Sequence, residues 1–397
     1  MATLQELKVQ IENANALGRQ NLTDKGVEVE EAATTYEIMQ GIADVSGGGG
    51  VEYKEYPLPQ DDYVYYRYPP CNEDRYIQLS ISTIEYGTLN VDGYTKAGTM
   101  NGDQDGSYYK FIIPAHKEDF IIKLSTMPIY APSSADCTEV YCGKSIALNP
   151  RANLYSWATT TINGLEKITF KGSITNSNKQ VYGLFWSLPC QTIKFKSITA
   201  TTSSQIFLDC IFLKNVQFEE LVLTNPTEAF KNCVSLEAID CSKITPSGSV
   251  ANMFFGCSSL VILDLSSWAS QSPTFTGVNG LFRYCGMLKT INLSGWDLSH
   301  FTSIYDWFDG NPLLENVILD DTTLFAATFR VSACPNLTLD SLSAIFDALP
   351  KLPDETTKTL TLHANHKILQ SQVDSANEKG WTITGGTVVT EEEYNNG

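Results

Sequence analysis

Apolar and polar positions recur on a fixed template through the second half of the chain. The stretch "FKNCVSLEAIDC" places Cys233, Leu236, Ile239 and Cys241; "FFGCSSLVILDL" places Cys257, Leu260, Leu263 and Leu265; "FRYCGMLKTINL" places Cys285, Leu288, Ile291 and Leu293. In "FDGNPLLENVIL" the series is Asn311, Leu314, Val317 and Leu319, with asparagine where the others have cysteine. The offsets are three, three and two in each unit, and the units recur every 23 to 28 residues. A repeat of that length, each carrying a short strand and a turn or helix, predicts a stacked solenoid. Fainter copies extend it upstream through Asn163, Cys190 and Cys210, and downstream through Cys334 and Leu337.

Stacking gives the cysteine position its chemistry. Equivalent positions of successive coils meet in one buried row, where asparagine satisfies backbone groups at a bend. Cysteine fills the same place as a small apolar residue with a weak S–H donor. Six of the ten cysteines hold this position, and all six are expected to be reduced core residues. One thiol per coil does not have zinc-ligand spacing. Cys137 and Cys142 in "DCTEVYC" lack a matching second pair and read as free thiols.

Other textures flank the repeats. Leu4, Leu7, Ile11, Ala14 and Leu17 form an apolar helical stripe, and a second short helix follows with Tyr36, Met39, Ile42 and Ala43 on one side. Residues 1–46 thus read as a helical attachment or oligomerisation module, and 47–50 as a glycine linker. Residues 51–150 are tyrosine-rich, with alternating runs such as "YIQLSIST" and "DFIIKLS", and predict a small antiparallel β-sandwich. Its tyrosines are either a ligand platform or cross-strand filling. "NGDQDG" at 101–106 has alternating oxygen ligands but lacks the distal glutamate of a calcium loop, so a hairpin turn is expected. The array spans 151–340. A cap and tail follow at 341–397, with one helix face of Leu342, Ile345, Phe346 and Leu349, a strand in "KTLTLHANHKIL", a helix ending at Gly380 and a last strand at "WTITG". His363 and His366 have no acidic or thiol partner near them in sequence, which argues against zinc.

Composition narrows the function classes. The net charge of −18 and the lack of a Lys/Arg run argue against nucleic acid and anionic membranes as partners. No apolar run has the length of a membrane helix. The opening "MATLQELKVQIENANALGRQ" lacks the apolar core of a secretory signal, so folding in a reducing cytoplasm is expected. There is no Gly-rich phosphate loop, nucleophile elbow or H-E-x-x-H motif, and adjacent acids such as Asp320 and Asp321 read as a solvated turn. No enzyme activity and no cofactor are expected.

The units "MFFGCSSLVILDLSSW" and "LFRYCGMLKTINLSGW", with the closing "LTLDSLSAIFDALPKLPDETTKTLTLHANHKIL…NEKGWTIT", resemble BspA-type leucine-rich repeats of bacterial and phage surface proteins. That resemblance covers about residues 160–385 and implies a helix–strand cap and a role in adhesion or recognition. The segment "LKVQIENANALGRQNLTDKGV…ATTYEIMQGIADV" resembles the leader module of phage tail-fibre and related virion proteins. It implies a virion protein assembled in the host cytoplasm, anchored to other virion proteins through residues 1–46 and trimeric. On this reading the array recognises a host-surface glycan or protein through Gln217, Asp240, Asp264, Asn292 and Ile318, the outward positions between the apolar ones. Trp268 and Trp296 either join that surface or fill the coil-to-coil core, and their equivalent placement after "LSS" and "LSG" favours the core. The alternatives are a purely architectural virion component (head fibre, collar or decoration) and a bacterial surface adhesin.

Overall fold

The computed structural model describes residues 182–301 and 304–395, and upstream of them segments that include 64–69, 75–81, 96–101, 107–113, 120–124, 139–143, 146–148 and 166–176. The helices expected over 1–46 and the linker at 47–50 lie outside the described residues. Contacts divide the chain into a unit of Met1–Leu58 with Ala238–Asp240 and a unit of Pro59–Glu237 with Cys241–Gly397, and the described strands and helices belong to the second.

Its first strands are antiparallel. β1 (Val64–Tyr68) pairs with β5 (Phe120–Leu124), while β2 (Arg75–Ile81), β3 (Lys96–Asn101) and β4 (Ser107–Ile113) form a sheet in the order β2-β4-β3. Asn101 faces Ser107 across β3 and β4, while the turn expected of "NGDQDG" lies, beyond Asn101, outside the described residues. Of the two readings of the tyrosines, those of β1 with described side chains fit filling and not a ligand platform. Tyr66 and Tyr68 are buried, and burial, with nearby thiols adding to it, pushes the Tyr66 hydroxyl well above its ordinary pKa. No separate two-layer sandwich is defined among the described residues. Instead β1 also pairs with β6 (Glu139–Cys142), and β6 opens the solenoid.

From there the chain climbs in coils with two parallel ladders. One ladder runs through β6, β8 (Lys167–Phe170), β10 (Thr192–Lys194) and β12 (Asn215–Gln217). The other runs through β7 (Ile146–Leu148), β9 (Ile174–Asn176), β11 (Ser197–Ala200), β13 (Glu220–Thr224) and β14 (Ile244–Ser247). The pairing of β6 with β8 and of β7 with β9 carries both ladders upstream of residue 151. β15 (Ile262–Asp264), β16 (Thr290–Asn292) and β17 (Asn316–Ile318) form a further parallel sheet. Residues 236–240 form no strand. Alanine, disfavoured in strands, stands at 238 where the coils on either side have Asn215 and Ile262.

The cap is as expected in outline and longer in detail. β18 (Phe329–Arg330) is followed by α1 (Leu339–Asp347), whose N-cap Thr338 accepts from the Ser341 N–H and whose Leu342, Ile345 and Phe346 are buried. β19 (Lys358–Thr361) and β20 (Lys367–Leu369) divide the region expected as one strand. α2 (Gln370–Glu378) ends before Gly380, at φ +92°, a conformation that suits glycine. β21 (Trp381–Thr384) closes the order β18-β19-β21, β22 (Thr387–Val389) pairs with β20, and α3 (Glu391–Asn395) follows.

Stacked rows seal the interior. Successive phenylalanines lie nearly parallel, with centroids 5.0 Å apart for Phe185–Phe207, 4.8 Å for Phe207–Phe230 and 5.6 Å for Phe230–Phe254. Such pairs contribute about 0.5–1.5 kcal/mol each beyond the area they bury.

Candidate recognition surface

The cysteine row fixes which side chains are left outside. The nine described cysteines are all free and buried. Each repeat thiol from Cys210 on donates to the phenylalanine carbonyl of the coil before it: Cys210 to Phe185 at 2.8 Å, Cys233 to Phe207 at 3.1 Å, Cys257 to Phe230 at 3.0 Å, Cys285 to Phe254 at 3.2 Å and Cys334 to Phe308 at 3.3 Å. Asn311 takes the same place with more bonds. Its Nδ2 donates to the carbonyls of Phe282 and Trp307, and its Oδ1 accepts from the Cys285 N–H at 2.9 Å. Burial pushes the Cys190, Cys285 and Cys334 thiols up to about 12, so the row holds thiols and not thiolates.

Trp268 and Trp296 belong to this core. Both are wholly buried, with Nε1 donating to Cys241 O at 3.0 Å and to Leu265 O at 2.8 Å. Neither can stack on an external ligand. His366 is also spoken for: Nε2 lies 2.8 Å from Cys334 O, and Nδ1 accepts from the His363 N–H. Burial, opposed by that carbonyl, lowers its pKa and keeps the ring neutral.

The five outward positions read from the sequence do not form one row. Asp264, Asn292 and Ile318 are register partners across β15, β16 and β17. Gln217 is exposed but lines up with Lys194 and Thr169 in the first ladder. Asp240 is half-buried, lies in the other unit and joins neither register. Asp264 and Asn292 also have local work. Asp264 Oδ1 accepts from the N–H and hydroxyl of Ser266, and Asn292 Oδ1 does the same for Ser294. Asp320 repeats the motif on Thr322; burial raises its pKa, but bonds from Thr322, Thr323 and the Gly295 N–H outweigh that and lower it. These carboxyl and amide groups pin the corner of each coil.

A denser arrangement lies on the turn face, the segment from about two residues before to two residues after each core phenylalanine. Here the backbone alternates between right- and left-handed helical conformations, with positive φ at Gln205 and Asp209, Glu228 and Asn232, Asn252 and Gly256, and Gly280 and Tyr284. The turns are nonetheless bonded coil to coil, Phe207 N–H to Ala229 O at 2.7 Å and Phe230 N–H to Met253 O at 2.8 Å. On this backing the side chains form two series of contacts, one through Asp209 and a longer one through Lys231 and Arg283. Trp186 Nε1 donates to Asp209 Oδ2 at 3.2 Å, and Asn232 Nδ2 to Asp209 Oδ1 at 2.8 Å. Glu228 accepts from Gln205 and Lys231; burial opposes ionisation, and these bonds overcome it to lower the pKa. Lys231 lies over the Phe255 ring, which meets Tyr284 edge-on at 5.2 Å. Arg283 lies 4.8 Å over Tyr284 and reaches Asp306 at 3.7 Å and Asp309 at 3.4 Å. Arg330 closes the series, paired to Asp309 and 4.0 Å over Tyr305. Nothing in the Leu-x-x-Leu-x-Leu template points here. The signal was available in the one or two residues after each repeat phenylalanine: Trp186, Asp209, Asn232, Phe255 and Tyr284.

Residues 153–338 match the model of the BspA type leucine rich repeat region, in six overlapping copies. The crystal structure of the leucine-rich repeat protein of T. pallidum aligns over 53% of this chain and 89% of that one, at 18% identity and a TM-score of 0.29. No curated protein matches the chain in sequence. The parallel coils and sealed core agree with that match: residues 153–338 form a leucine-rich-repeat array similar to the BspA type.

Proposed function

We propose that this chain is a non-enzymatic recognition protein whose repeat array contacts a cell surface. One observation carries the reading: the repeat thiols, Trp268, Trp296 and the cap histidine His366 are turned inward and hydrogen-bonded, while outward positions such as Lys194, Gln217 and Asp264 are exposed on bonded ladders. Such a scaffold offers side-chain columns that can vary without disturbing the core. In the more specific form, the protein is carried on a phage particle through residues 1–46, in trimers, and binds a host-surface glycan or protein. Its support is the resemblance of those residues to virion leader modules. The BspA-type repeats favour a second carrier, the bacterial surface itself, where the chain would act as an adhesin.

Retention of the fluorescently labelled full-length chain on intact bacterial cells tests the reading. Gln217→Arg with Ile318→Arg is expected to weaken retention at least about tenfold, since a charge buried in a contact without a partner is costly. Failure of the unaltered chain to bind any cell tested would leave an architectural role instead. Immunogold labelling separates the carriers, decorating phage particles in one case and cell envelopes in the other.

A further inference from the structure

Most of the large apolar side chains that are exposed among the described residues lie on the turn face, as Tyr182, Tyr284 and Tyr305, or on the corner after it, as Ile211, Phe212, Val234 and Met287. The corner is itself stacked: Ser235 Oγ donates to Ile211 O, Ser258 Oγ to Val234 O, and the Met287 N–H to Ser258 O. Tyr284 has a further peculiarity. It is held at φ +62°, where the equivalent residues of the two neighbouring coils are Gly256 and Gly310, and its ring lies against Gly310 of the next coil. A bulky residue kept in that conformation is strained, and the aspartate, asparagine and glycine of other coils show that the fold does not require it.

Charge on this face is balanced. Lys231, Arg283 and Arg330 stand against Glu228, Asp306 and Asp309, in a chain with 27 basic and 45 acidic residues. Two such chains, each at −18, repel one another most over their acidic surfaces and least where the local charge cancels. A partner selected by opposite charge would be drawn to the acidic surface instead. Sugar stacking is also disfavoured, because the protein's own cations lie over the Phe255, Tyr284 and Tyr305 rings. What stays exposed is tyrosine and methionine, beside half-buried arginines, all residue types enriched where proteins meet. The stacked turns from Phe230 to Phe329, the stretch that carries Tyr284 and Tyr305, extend over roughly 19 Å at about 4.8 Å per coil, which with Val234 and Met287 beside them suits a small, concentration-dependent interface below the standard of about 800 Å² per partner.

We propose that the turn face from Lys231 to Arg330 is a self-association surface, on which a second copy of this chain docks through Tyr284 and Tyr305. The inference goes beyond the recognition reading and does not depend on it. In a two-fold arrangement the same patch meets itself, the tyrosines pack at the centre and Met287 lies at the rim. Pairing would also multiply whatever contacts the strand face makes.

Sedimentation and light scattering of the full-length chain over a wide concentration range test this. Association is expected to strengthen as salt rises, because salt screens the repulsion and the contact itself is uncharged. Tyr284→Ala with Tyr305→Ala is expected to weaken it at least about tenfold, as loss of two central anchors does. Tyr305 is 43% exposed, so Tyr305→Ala alone gives a folded variant if the double one melts early. A single-chain mass for the unaltered protein at every concentration and salt would overturn the proposal. Association unchanged in both variants would overturn it too, and assign assembly to another surface such as residues 1–46. An unchanged mass with lost cell retention would overturn it in favour of a foreign partner on this face.

Discussion

Replacing Trp296 by alanine is expected to destabilise the array by about 3–5 kcal/mol, the range for deleting a large buried aromatic. Its ring is wholly buried and meets Trp268 at 6.5 Å, Phe275 at 5.5 Å and Trp307 at 5.8 Å, so no single neighbour can collapse into the space. The substitution also leaves the Leu265 carbonyl without its indole donor. Denaturant unfolding followed by tryptophan-independent circular dichroism measures the loss. Lys194→Ala, at an exposed position, should stay within about 0.5 kcal/mol. A loss below about 1 kcal/mol for Trp296→Ala would mean that the coils do not share one continuous core.

The second large effect is at Asn311. Changing it to leucine keeps the branched outline, adds some bulk, strands the Cys285 N–H and removes a donor from the carbonyls of Phe282 and Trp307. An unpaired buried polar group costs about 1–3 kcal/mol, so a total near 3–5 kcal/mol is expected. Asn311→Cys should be milder, at roughly 1–2 kcal/mol, because a thiol there restores the donor to Phe282 O that the other coils use. Equal losses for leucine and cysteine would show that the row is filled by size alone.

That row was legible because its period is rigid. The offsets from Cys257 to Leu260, Leu263 and Leu265 are fixed by stacking, and the equivalence of cysteine with Asn311 follows from the bend that both must satisfy. The cap helix was legible for a related reason, since Leu342, Ile345 and Phe346 keep helical spacing behind the Thr338 cap. The outward positions were harder. Strand alternation shows that Asp264 and Asn292 point away from the core, but not that each spends an oxygen on a serine two residues on. The pairing of aspartate or asparagine with serine or threonine at that spacing, repeated at Asp320 and Thr322, was the overlooked signal. The turn face was least legible. Its contacts join residues one coil apart, such as Asp209 with Asn232, and a hydrophobic template gives such positions no weight. The start of the ladder was obscured by the tyrosine-rich texture upstream of residue 151, where Val140 and Cys142 already pair as a coil strand.

A sealed interior underlies the fold and the surface it presents, and thiol reactivity tests it most directly. Titration of the native full-length protein with an aromatic disulfide reagent near pH 8, in the presence of a chelator, should leave the nine buried cysteines unreacted, because they are both inaccessible and, for Cys137, Cys190, Cys285 and Cys334, pushed up to about 12. All nine should react once denaturant unfolds the chain. Rapid reaction of several repeat cysteines in the native state, or thiols that stay missing after unfolding because they are crosslinked, would contradict it.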